Sequence, residues 1–172
     1  MIAHLALNAR SHVRLLDFAA RGERGEQYPG GADARAAAIE ESSLLSPQEL
    51  VTELRASIYA LEAAWASATA RAWQGEGLRT SGSVVHMADL PFLRWREVVV
   101  HFTDLDVGVE CDSWPPLYLR LELERGKMAW AASKPMGLTL LPARANELPI
   151  HERVAWLVGR RDVDGLPGGP GL

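Results

Sequence analysis

The chain has 172 residues, of which 48% are hydrophobic and 23% charged, and its net charge is −4. This is the size of one domain, or of one domain with a small appendage, and the composition is that of a globular protein. The acidic balance argues against a general nucleic-acid binder, no apolar run reaches the ~18 residues of a bilayer span, and the single cysteine, Cys111, excludes an internal disulfide.

The opening "MIAHLALNARSH" has no basic stretch followed by a long apolar core, as a secretory leader would, and a reducing, cytoplasmic setting is expected. The chain opens in a helical pattern. Ile2, Leu5, Ala6, Ala9, Val13, Leu16 and Ala20 recur at steps of three and four as one apolar stripe. This helix is expected to stop near Gly22, ahead of the polar loop "RGERGEQYPGG". A short helix follows over "ADARAAAIEESSLL". In "SPQEL", Ser46 can cap, Pro47 suits the first helical position and Glu49 completes a capping box. The helix begun there carries Leu50, Leu54, Ile58, Leu61 and Trp65 on one face and is predicted to run to about Trp73. "LRTSGSVVHMADL" reads as an extended segment ending in a turn, and Asp89 can cap a helix from about Leu90 to Val107.

Beyond a break at about residues 110 to 116 the pattern changes. "WPPLYLRLELERGKMAWAAS" reads helical after its Pro-Pro, "GLTLLPA" as a short strand, and "PIHERVAWLVGRR" as a last helix. The predicted organisation is a helical bundle over residues 1–110, a small α/β domain over 111–165 and a flexible tail over 166–172. Trp65, Trp95, Trp130 and Trp156 lie in helical patterns and are expected in the core, while Trp73 and Trp114 border loops.

Within "RWREVVVHFTDLDVG", residues 94–108, Glu97 and His101 stand four apart in an apolar run, so on a helix they share a face. His4 lies close to the stripe of the opening helix. Two ligands on one helix and a third from a facing helix can occupy three corners of a tetrahedron around Zn²⁺ and leave the fourth open, as a catalytic site does. Imidazole and carboxylate also suit Fe²⁺, Ni²⁺, Co²⁺ or Mn²⁺. Each residue taken alone has an ordinary reading: His4 as a hydrogen-bonded helical histidine, Glu97 as the partner of Arg94 or Arg96. Together they could hold a metal, which would relieve the cost of burying a carboxylate on an apolar face; the ordinary readings stay open beside it. Asp104, three residues after His101, is placed to orient a ligand histidine through its other ring nitrogen, His4 rather than His101. His12, His86 and His151 read as structural or solvent-facing, and Cys111 as a packed or surface thiol.

"IAHLALNARSH" together with "LRWREVVVHFTDLDVG" resembles the mycothiol-dependent maleylpyruvate isomerase family. The resemblance implies a mainly α fold: a DinB-like (truncated four-helix) bundle followed by a small α/β appendage similar to sterol carrier proteins. The family pattern matched by "MIAHLALNA" puts a metal ligand at His4. The pattern matched by Arg94, Arg96, Glu97, Val98, His101, Asp104 and Leu105 puts the other two at Glu97 and His101. A Gly-Arg pair implicated in catalysis falls on Gly159 and Arg160, or on Arg161 by a one-residue shift.

The family carries a helix ahead of the one bearing His4, and this chain starts without it. The expectation that follows is an uncovered apolar groove, and with it aggregation or a homodimer. For function, the resemblance implies a divalent metal, Zn²⁺ first, with mycothiol as thiol cofactor. The reaction implied is isomerisation of maleylpyruvate to fumarylpyruvate, or a related thiol transfer to another small electrophile, with Arg160 as the catalytic residue steadying a substrate carboxylate. The alternative is a non-catalytic or degenerate metal-binding module of the same fold. The implied partners are a small-molecule electrophile and a low-molecular-weight thiol, with neither nucleic acid nor membrane.

Overall fold

A computed structural model of the chain describes residues 1–135 and 140–172. The chain divides into two compact units, residues 1–98 and 99–172, and the division falls inside one helix.

In the first unit the apolar stripe of the opening helix becomes α1, Ile2–Arg21, around which the other elements are placed. Gly22 ends it in a left-handed conformation, φ 77°, and the N–H groups of Gly22 and Glu23 return to Ala19 and Phe18, the usual way to satisfy the last carbonyls of a helix. Helix α2, Gly31–Ser43, packs on α1 but buries no residue. Helix α3, Pro47–Ser67, starts with the full capping box: Ser46 accepts from the Glu49 N–H while the Glu49 side chain accepts from the Ser46 N–H. It lies along α1, and Arg10 and Glu53 pair across the two helices.

The helix expected to continue to Trp73 instead breaks at Ala68, which is extended. The Thr69 hydroxyl then accepts from the Ala72 N–H and starts a separate α4, Ala70–Trp73; a threonine side chain offers the backbone a cap in place of continued helix. The segment expected to be extended forms a two-stranded antiparallel hairpin, β1 at Glu76–Leu78 and β2 at Val84–His86, with Gly77 opposite Val85. A Cβ on Gly77 would fall 2.5 Å from Leu15 Cδ2, so glycine lets β1 lie against α1. A 3-10 turn, Met87–Asp89, leads directly into α5, Leu90–Thr103. Leu15, Leu16, Ala19, Val85, Met87 and Leu90 form a core cluster here, with Trp65 and Trp73 packed against it. Trp73 thus lies against the core although it borders a loop.

Arg94 fastens α5 to α1. It is 6% exposed, and its Nη1 donates to the Leu5 carbonyl and to Asn8 Oδ1, both at 2.8 Å. Helix α5 ends four residues before the expected Val107, because Asp106 and Gly108 turn to positive φ (54° and 79°).

The second unit holds the end of α5, a 3-10 turn at Cys111–Ser113, α6 at Pro116–Ala132, α7 at Ala143–Glu147 and α8 at Ile150–Leu157. Helix α6 packs on α8, where a Cβ on Gly126 would come within 2.8 Å of Leu157. Trp130 stacks at a tilt on Trp156, centroids 5.2 Å apart, and Trp114 meets Tyr118 edge-on. Both Trp130 and Trp156 are buried as expected, and Trp114, expected at a loop border, is buried as well. The strand expected at "GLTLLPA" falls mostly on residues outside those described, and its described end, Leu140–Pro142, is not strand. After Asp164 no regular element forms, yet the tail returns to α8: Trp156 Nε1 donates to the Pro167 carbonyl and the Gly171 N–H to that of Leu157. Among the described residues no helix is long and apolar enough to cross a membrane.

The tie from α5 to α1 yields a stability prediction. Arg94→Met keeps the length of the side chain but leaves the buried Asn8 amide oxygen without that donor, at a cost of about 1–3 kcal/mol. Urea melts of the two proteins measure the difference; an unchanged midpoint would show that α5 is held by apolar packing alone.

Candidate metal centre

His4 sits in the first turn of α1, and its Nε2 lies 2.8 Å from Glu97 Oε2 on α5. The Arg94 tie, one helical turn before Glu97, brings the two helices close enough for this contact. His101 follows Glu97 by one further turn of the same helix. One ligand atom from each of His4, Glu97 and His101 lies within 4.8 Å of the others. His101 is buried and the other two are half-buried. The structure therefore brings together the three residues that the sequence singles out. Two imidazole nitrogens and one carboxylate oxygen at this separation are a donor set that suits a divalent first-row cation.

The surroundings of the two histidines differ. His101 Nδ1 is 2.7 Å from Asp104 Oδ2. A carboxylate only accepts, so Nδ1 is the donor in this contact. Asp104 in turn receives Arg160 Nε at 2.8 and 3.0 Å. Burial by itself would push the Asp104 carboxyl up, but the hydrogen bonds from Arg160 and His101, with their charges, outweigh it and hold the group below the usual carboxylate range. Asp104 was expected to reach His4; its bond runs to His101, because the two stand three residues apart at the end of α5. His4 Nδ1 instead receives Arg35 Nη2 at 3.1 Å, and the guanidinium also lies over the Tyr28 ring, 5.4 Å from its centroid.

The other sequence candidates are not gathered here. Arg161 pairs with Glu152, and exposed His86 lies 3.5 Å from Glu76. Burial pushes the Cys111 thiol above its ordinary value, the opposite of an activated nucleophile. His12, two turns beyond His4 on α1, is only 2% exposed, and its Nδ1 finds no hydrogen-bond partner among the described residues. Burial first, then the Arg94 charge, lower it to about 4.

Arg35 and the buried role of Arg94 were not found from the sequence. Arg94 stood in the motif only as a partner for Glu97. Arg35 lies on a helix without an apolar face, where no periodicity marks one charged residue from another.

Residues 1–106 match the family model described as the mycothiol maleylpyruvate isomerase N-terminal domain. The chain belongs to that family. The match covers α1 to α5 and every member of the His4, Glu97, His101 set. The whole chain is also similar to a crystal structure of the mycothiol-dependent maleylpyruvate isomerase: TM-score 0.85, 26% identity, covering 99% of this chain and 80% of that one. A histidine-to-alanine mutant of such an isomerase matches with TM-score 0.81 and 26% identity, over 93% of this chain and 72% of that one. A search of curated proteins gave no match. The mainly α, DinB-like fold implied by the motifs is thus the fold of this isomerase family.

Two predictions follow from these contacts. Asp104→Asn should weaken metal affinity roughly 10- to 100-fold, the usual effect of disturbing the partner of a ligand histidine. Chelator competition measures this, and an unchanged affinity would mean that Asp104 does not govern His101. For His12 the native imidazole titrates near 4 and the unfolded one near 6.5. Between those values the unfolded chain binds a proton that the native chain does not, so stability falls as pH drops through that window. The loss should approach roughly 3 kcal/mol, and His12→Asn should flatten it. Melts of metal-free protein from pH 7 to pH 4 test this, and an equal slope in the variant would assign the loss to other groups.

Proposed function

We propose that this protein is a metal-dependent enzyme of the maleylpyruvate isomerase type that works with a low-molecular-weight thiol, mycothiol by family likeness. The single observation that carries this reading is the meeting of His4, Glu97 and His101 in the segment that the family model matches. These three would hold the cation, with Zn²⁺ the best fit to two imidazoles and a carboxylate. A cation bound there would supply the Lewis acidity that lowers the pKa of a coordinated thiol, and the thiolate would be the nucleophile for a cis double bond.

The chain's own groups prepare that chemistry. Asp104 accepts from His101 Nδ1, and Nε2 would be the nitrogen that binds the cation. Arg160 holds Asp104 in place through Nε and donates from Nη1 to the Val158 carbonyl, and its Nη2 would bind a substrate carboxylate. Arg160 would then serve both the ligand and the substrate. Cys111, with its raised pKa, takes no part.

Purified protein supplied with Zn²⁺, mycothiol and maleylpyruvate should form fumarylpyruvate, followed by absorbance. His101→Ala should lose both bound metal and turnover. Full metal occupancy in that variant would remove His101 from the ligand set, and a metal-loaded wild type that turns over neither maleylpyruvate nor another electrophile with mycothiol would end the enzyme reading.

A further inference from the structure

The carbonyls at the end of α8 find their donors in two places. The Arg160 N–H returns to Ala155 at 2.8 Å and the Gly159 N–H to Trp156 at 3.1 Å, with Gly159 in the left-handed region, φ 71°. This pair of bonds is a common closure of a helix C-terminus, and it does not reach the next carbonyl, that of Leu157. The tail supplies that donor: the Gly171 N–H meets the Leu157 carbonyl at 3.0 Å. Two more contacts seat the tail. The Trp156 indole N–H donates to the Pro167 carbonyl at 2.8 Å, and Gly169 lies so close to the Trp156 carbonyl that a Cβ there would run into it. Trp156 and Leu157 are each 1% exposed, so the tail rests on a stretch of helix that the core holds fixed. Its glycines, which read as flexibility in the sequence, are what let it lie against a helix backbone.

The turn closed in this way carries Arg160, whose Nε meets both oxygens of Asp104, and Asp104 accepts from His101. A long side chain loses rotamer freedom when it is held in one pose, and a part-exposed ion pair contributes little unless its geometry is fixed in advance. We propose that residues 165–172 are a strap that positions Arg160 on Asp104, with Gly169 as the residue on which the fit depends. The strap acts through Arg160, and so through Asp104 on His101. Its effect on a bound cation rests on the metal reading above.

The test uses the full chain. Gly169→Val should lift the strap. Trp156→Phe, which keeps a ring but not its N–H, should loosen it without a clash. Gly168→Ala is the control, because a Cβ there would meet nothing within 4 Å among the described residues. The first readout needs no metal: by NMR the Arg160 Nε–H should be protected from solvent exchange in the wild type and the control, and should lose that protection in the other two variants. The second is zinc affinity by chelator competition. It should fall in Gly169→Val by roughly 10-fold, the low end for losing the support of a ligand histidine, and fall no further when Gly169→Val is added to Arg160→Ala. A tail that merely stabilised the fold would lower affinity equally in both backgrounds. Unchanged protection in both strap variants, or an equal effect of Gly169→Val with and without Arg160, overturns the proposal. If protection is lost but no protein takes up zinc, the strap stands and the metal reading fails. If the wild type binds zinc and turns over substrate while protection persists in the variants, only the strap fails.

Discussion

The buried guanidinium of Arg94 determines where everything else in the centre can be. Its two bonds to α1, one to a carbonyl and one to the Asn8 side chain, fix the rotation and height of α5 relative to α1. Apolar packing alone would let two helices slide or turn with little penalty, since it is non-directional. A buried charged donor with two placed acceptors does not allow this, because a shift leaves a charge without its partners. Once Arg94 is seated, helical geometry does the rest: Glu97 comes one turn later opposite His4, and His101 another turn on.

That constraint also separates what the sequence revealed from what it did not. The His4, Glu97, His101 set could be read because two of its members share a helix, where spacing is geometry, and the third sits beside an apolar stripe. The start of α3 could be read because a capping box is a local signal, spelled out by Ser46, Pro47 and Glu49. The break at Ala68 was missed although Thr69 makes it, since a threonine inside an apolar pattern looks the same whether or not its hydroxyl caps. That Gly77 lets a strand touch Leu15 depends on a neighbour far away in the chain, which no local pattern shows. The partner of Asp104 was misassigned for a related reason. Placing it on His4 needed the side-chain directions of two helices, whereas the bond to His101 is local.

His12 shows the same helix serving stability and site at once. It points from α1 into the region of Arg94 and Glu97, is kept neutral by burial and the nearby guanidinium, and leaves one ring nitrogen without a hydrogen bond among the described residues. An ionised histidine at that position would place a second cation beside Arg94. The neutral ring lets Arg94 stay charged, and so lets α5 stay in register with α1. The arrangement trades some acid stability for a fixed helix pair.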